Sequence, residues 1–313
     1  MEMRRLGGTG LVTSAIGLNG LAFVRGCGPV DRPHDLAVLT HALDSGITLI
    51  DAADGVRGGV EALVGRAVRR RRDEVVLATR GGARFTPKGQ LIDIDGRPDR
   101  LARDCDASLR RLGVDHVDLY YLARVDPLVP IEDSISALAG LVEVGKIRQL
   151  GLSQVDADQL RRAHAVYPIA ALAHRYSLLD RQVEKEILAA ARTLGVGVVA
   201  ASPLAHGLLT GRIASIDQLS ADDYRRGHPA FQPDPLAHSR ALVRAAQQLA
   251  ARKDVSLGRL ALAWLLAQGL DIVPLPGTRS RTHLETDIAA IEIELSGEEC
   301  AELSALAAPD PAT

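Results

Sequence analysis

The 313 residues carry a formal net charge of −2, with 47% hydrophobic and 24% charged side chains. That balance describes a soluble globular chain able to bury a sizeable core. It excludes the basic footprint of a nucleic-acid binder, and no apolar run reaches the length that spans a bilayer.

The elements read in chain order as follows. Residues 4–6 and 11–13, joined by Gly7-Gly8-Thr9-Gly10, form a small hairpin, so that residues 1–13 cap the lower end of the fold. Residues 15–18 make the first strand. Asp31 and Pro33 open a helix with Leu36, Leu39, Ala42 and Leu43 on one face, and Gly46 stops it. A strand at 47–51, a helix at 61–70 and a strand at 75–79 follow. A helix at 98–112, stopped by Gly113, leads to a strand at 117–122. Next come a helix at 130–144, whose acidic first turn suits the helix dipole, and a strand at 147–152. A helix at 157–165, a strand at 169–173, a helix at 183–194, a strand at 196–201 and a late strand at 272–275 complete the series. Trp264, in an apolar helical run, is expected in the core. Eight strands alternating with helices predict an α/β fold, a (β/α)8 TIM barrel with an N-terminal hairpin cap, as one domain over residues 1–313. The segments 83–97 and 211–235 each follow a strand, which puts them on the C-terminal face where barrel sites are built. The start of the chain shows no apolar signal region. Cys27, Cys105 and Cys300 are spaced for neither a disulfide framework nor a metal site, so a reducing cytoplasm is the expected setting.

Several runs, in order, resemble the aldo-keto reductase superfamily. They are Arg4-Arg5-Leu6-Gly7-Gly8-Thr9-Gly10-Leu11, then Asp106-Ala107-Ser108-Leu109-Arg110-Arg111-Leu112-Gly113-Val114-Asp115 with Val117-Asp118-Leu119-Tyr120-Tyr121-Leu122. Gly145-Lys146-Ile147-Arg148, Gly151-Leu152-Ser153, Ser202-Pro203-Leu204, Gly207-Leu208-Leu209-Thr210-Gly211 and Pro276-Gly277-Thr278 continue the match. The resemblance implies carbonyl reduction by an Asp, a Tyr five residues later, a Lys and a His. Here Asp51 stands, but Val56 occupies the Tyr position, Arg80 the Lys position and Ala123 the His position. General acid catalysis needs a group that releases a proton near neutrality. Val56 and Ala123 have none, and Arg80 keeps its proton at any working pH. An Asp51–Arg80 ion pair is the structural expectation.

The cofactor that the resemblance implies is NADP(H), through Ser153, Ser202, Leu204, Gly277 and Thr278, with Arg279 and Arg281 toward the 2′-phosphate and Glu285 in the same adenosine-gripping run. The nicotinamide end is stripped: Ala201 stands for the stacking aromatic, Ala173 for a Gln, and Gly17-Leu18-Asn19-Gly20 for Gly-Leu-Gly-Thr. Asp287 replaces an Asn and, as a carboxylate, cannot donate.

Other polar residues offer different chemistry. His174 and Tyr176 share one side of the sixth strand, with Arg175 on the other. His206 follows the seventh strand, and Asn19, Arg25, Asp54 and Arg57 follow the first two. The leading expectation is non-redox catalysis (lyase, isomerase or cyclase) on a small carbonyl-containing or polyketide-like metabolite. Asp51, Arg80, His174, Tyr176 and His206 are its candidate residues. Two alternatives stay open: an NADPH-dependent reductase with a rebuilt site, protonating through Tyr176 or His174, and a non-catalytic binding or regulatory protein.

Overall fold

The computed structural model describes residues 1–24, 32–52, 59–86, 90–221 and 223–306. Arg25, Cys27, Asp31, Asp54, Val56 and Arg57 lie outside them. Eight parallel strands form the central sheet: β1 (Leu18–Asn19), β2 (Leu49–Asp51), β3 (Val76–Gly81), β4 (Val117–Leu122), β5 (Ile147–Ser153), β6 (Ile169–Arg175), β7 (Gly197–Ala201) and β8 (Ile272–Leu275). They pair in sequence order. The ring closes because the Gly17 and Asn19 amides donate to the Pro274 and Pro276 carbonyls, each at 2.9 Å. The outer layer contains α1 (Arg32–Asp44), α2 (Val60–Val68), α3 (Pro98–Leu112), α4 (Ile131–Glu143), α5 (Ala157–Val166), α6 (Ile187–Leu194), α7 (Pro233–Arg252), α8 (Leu257–Ala267), α9 (Arg281–Ile288) and α10 (Gly297–Leu306). This is a (β/α)8 barrel. Among the described residues no helix is long and apolar enough to cross a membrane.

Period-two alternation sorts each strand into two cores. Leu49, Ala78, Leu119, Tyr121, Ala173 and Val199 face inward. Ile50, Leu77, Tyr120, Leu150, Leu172 and Val198 face the helices. The hairpin Met3–Arg5 with Val12–Ser14 sits beneath the barrel, and Leu6 inserts into the inner core from below. Gly7 is required there. Its φ is +74°, and a Cβ would lie 2.6 Å from the Ala170 carbonyl oxygen. Arg4 ties the hairpin to the last βα unit by donating to the carbonyls of Leu266, Gly269 and Ile272.

Local signals account for several element ends. Pro98 opens α3, and Gly113, at φ 70°, closes it with its N–H donating to the Leu109 carbonyl. Asp156 and Gln159 form a reciprocal capping box on α5. Trp264 of α8 is fully buried. Its Nε1 donates to Ser304 Oγ of α10 (3.1 Å), Tyr176 meets it edge-on at 5.6 Å, and the Arg181 guanidinium lies 5.5 Å from its ring centroid. Burial pushes the Cys105 thiol up to about 12, which leaves it inert.

Three readings change. The 83–97 segment contains a second hairpin, Ala83–Phe85 with Leu91–Ile94, held by Arg84 Nε on Asp93 Oδ1 at 2.7 Å. The expected helix at 183–194 divides into a turn at Gln182–Glu184 and α6. The 211–235 segment is a series of short turns over Leu208, Leu219, Phe231 and Leu236, and α7 begins within it at Pro233.

Candidate active site

The C-terminal ends of β2, β3 and β4 bring three polar side chains together inside the barrel. Asp51 is 1% exposed and can stay charged there only with a partner. Arg80, on the next strand, supplies one: its Nη2 pairs with Asp51 Oδ2, as the sequence suggested. The Arg80 side chain is 17% exposed, and its Nε has no hydrogen-bond partner. Below lies Tyr121, fully buried, with the Arg80 guanidinium 5.5 Å from its ring centroid. Its hydroxyl also has no partner. Burial, and next the Asp51 charge, hold that hydroxyl well above the ordinary phenol range, so it stays protonated. Tyr120 points the other way, into the helix layer.

Tyr121 fits because its β5 neighbour is Gly151. A Cβ on Gly151 would stand 2.5 Å from Tyr121 Cδ1 and 3.1 Å from the Ala171 carbonyl oxygen. Gly151→Ala is therefore expected to destabilise the chain by about 1–3 kcal/mol through overpacking. Urea unfolding of Gly151→Ala and of Gly151→Ala with Tyr121→Leu checks this. The second change should recover part of the loss, and no recovery would show that the clash is not the cause.

On β6 the alternation holds, but His174 and Tyr176 take the outer side. Tyr176 is buried against Trp264 and its hydroxyl donates to Glu184 Oε1 at 2.8 Å, remote from the mouth. Burial raises it further. His174 shares the parity of Leu172 and Tyr176. Its Nδ1 sits 3.1 Å from its neighbour's carbonyl, and burial lowers its pKa. The inward residue is Arg175, 3.3 Å from Asp180. The reason is a register shift between Ile169 and Ala171, which sequence alternation does not reveal.

His206 lies over the mouth in a left-handed conformation (φ 56°). Its Nδ1 is 2.9 Å from the Tyr224 hydroxyl and its ring is 4.2 Å from that of His228. Burial, then His228, Arg175 and Arg225, pull its pKa down to about 4, so at neutrality it is an uncharged imidazole. Gln154, Ser202 and Ala205 also have positive φ, which concentrates backbone strain at the ends of β5 and β7. Sequence reasoning missed Arg124, which directly follows Ala123. The available signal was a lone cation just past a strand on the C-terminal face.

The dinucleotide end is partly committed elsewhere. Arg279 Nε is 2.8 Å from the fully buried Asp35 of α1, and Glu285 is 2.9 Å from His41. Arg281 is exposed at the start of α9 with no side-chain partner among the described residues. Beside it, Ser280 Oγ accepts the His283 amide and Thr278 Oγ1 accepts the Ser280 amide. Gly277 runs close to Asn19, where a Cβ would lie 3.3 Å from the Asn19 carbonyl oxygen. Ser153 is buried at the end of β5, Ser202 and Leu204 are half-buried after β7, and Ala201 offers no stacking face. Arg281 and the N-terminal amides of α9 form a positive end to that helix. Asp287 is 5% exposed, and burial raises its carboxyl to about 7, which favours the protonated form that can donate a hydrogen bond.

A sequence model of the Aldo/keto reductase family matches residues 15–308. The chain belongs to the aldo/keto reductase family. Its fold is similar to the structure of the glycerol dehydrogenase AKR11B4 from Gluconobacter oxydans, with a TM-score of 0.85 and 29% identity over 99% of this chain and 98% of that one. That neighbour is named as a dehydrogenase, and nothing in the comparisons favours the non-redox chemistry expected from the missing tetrad residues.

Proposed function

We propose that this chain is an NADPH-dependent reductase of small carbonyl compounds in which Arg80 takes over stabilisation of the reacting oxygen. One observation carries the reading. Arg80 is fixed by Asp51 through one arm, at the C-terminal end of β3, and its Nε–H has no partner. A guanidinium so placed polarises a carbonyl oxygen and holds the alkoxide that forms on reduction. A reduced nicotinamide supplies the hydride when bound. Because Arg80 does not release its proton, the alkoxide takes a proton from water at the mouth. Arg281, Ser280, Thr278 and the α9 amides would grip the 2′-phosphate, and Asp287 in its protonated form would replace the amide donor toward the adenine. Ser202, Leu204 and Gly277 would line the stretch between.

Calorimetric titration with NADPH and NADH tests the cofactor half. NADPH is expected to bind at least tenfold tighter, since a charge-assisted bond to its extra phosphate contributes about 1.5–3 kcal/mol. Equal affinity would remove the phosphate-end argument. No binding, together with no NADPH oxidation in the presence of small aldehydes or ketones, would reject the reductase reading.

A further inference from the structure

Among the described residues, the charges around the mouth do not balance. Arg80 is matched by Asp51, Arg175 by Asp180 and Arg225 by Asp223. Arg124 is left over. Its Nη1 donates to its own neighbour's carbonyl, Ala123 O, at 3.1 Å, and its guanidinium lies 5.8 Å from the ring centroid of Phe85. Among the described residues it has no carboxylate partner. It is half-buried, and its charged neighbours Arg80 and Arg175 are both cations. Burial lowers its pKa first, and those two charges lower it further.

A partly desolvated cation among like charges is costly unless something neutralises it. Among the described residues no side chain neutralises it. A planar guanidinium stacked on an aromatic ring is held in the pose that presents its fork to an oxyanion.

We infer that the mouth accepts a carbonyl compound bearing its own oxyanion group, a carboxylate or a phosphate, and that Arg124 receives that group. The inference rests on the reductase reading for the carbonyl, and on Arg124 alone for the anion. It gives Arg80 and Arg124 separate tasks. Arg80 faces the oxygen that becomes the alkoxide, and Arg124 anchors the far end of the substrate and so selects for charge.

The test is a calorimetric titration of the full chain with levulinate and dihydroxyacetone phosphate, beside the uncharged methyl levulinate and dihydroxyacetone. At least one anion is expected to bind tenfold or more tightly than its neutral counterpart, and which one does so tells carboxylate from phosphate. Arg124→Gln should weaken that anion by about 10–100-fold and leave the neutral compounds and NADPH unchanged, with Arg124→Lys in between. Anion affinity of the unaltered chain should also fall as salt is raised. Equal binding of charged and neutral compounds, or a folded Arg124→Gln protein that binds the anion normally, overturns the assignment. If Arg124→Gln does not fold, Arg124→Lys and the salt series decide by the same criteria. Arg124-dependent anion binding without NADPH oxidation keeps the anion site and sinks the reductase reading. Equal kcat/KM for charged and neutral ketones does the reverse.

Discussion

Arg80→Met is expected to lower kcat/KM for NADPH-dependent carbonyl reduction by about 10²–10³-fold, the usual loss when one donor to a developing oxyanion is removed. Methionine keeps much of the volume and removes the charge, so the loss would come from the transition state and not from NADPH affinity. Arg80→Lys restores a cation and should recover part of the rate. Thermal unfolding must be followed in parallel, because the substitution also takes from buried Asp51 a charged partner, a loss that is strongly destabilising when a buried pair is broken. A second signature separates this mechanism from acid catalysis by a side chain. With the Arg80 guanidinium not a proton donor and His206 neutral above about 4, kcat/KM for the carbonyl at saturating NADPH should be flat from about pH 6 to 9. A folded Arg80→Met protein that retains full activity, or a rate that falls steeply through neutral pH, would assign the chemistry to another group.

Asp287→Asn should raise stability at pH 8 and flatten its dependence on pH. The carboxyl moves from an ordinary value of 3.8 to about 7 on folding because it is buried. Between those two values the folded chain keeps the proton while the unfolded chain releases it. Stability therefore falls as pH rises through that window, by on the order of 4 kcal/mol in all. Asparagine is uncharged at both ends of the range and removes the slope. Urea unfolding at pH 5 and pH 8 measures it, and a parental protein equally stable at both would show that Asp287 is not buried as described. The same substitution supplies a permanent donor, so NADPH affinity at pH 8 should rise as well.

The sequence made much of the scaffold legible, for identifiable reasons. Pro98 and Gly113 bracket α3 with conformations few other residues prefer, and β4, apolar or aromatic at every position but Asp118, reads as a buried strand. Asp51 and Arg80 were legible as a pair because opposite charges at the ends of neighbouring parallel strands have no cheaper arrangement. The orientation of β6 was not legible. Alternation separates His174 from Arg175, but a shift in pairing at Ile169/Ala171 decides which faces inward, and that depends on contacts distant in sequence. The surroundings of Asp287 were not legible for a related reason: its residue type is known from the sequence, but its burial is not. The second hairpin was hidden because two short strands with exposed Leu91 and Ile92 resemble a polar loop.

The chain has one indole, sealed between α8 and α10. Its intrinsic emission should be blue-shifted, and it would report the docking of the C-terminal helix rather than events among the arginines across the barrel. A red shift on mild heating would then mark α10 lifting from its seat. A small molecule that alters turnover while leaving that spectrum unchanged would be acting locally, without loosening this corner.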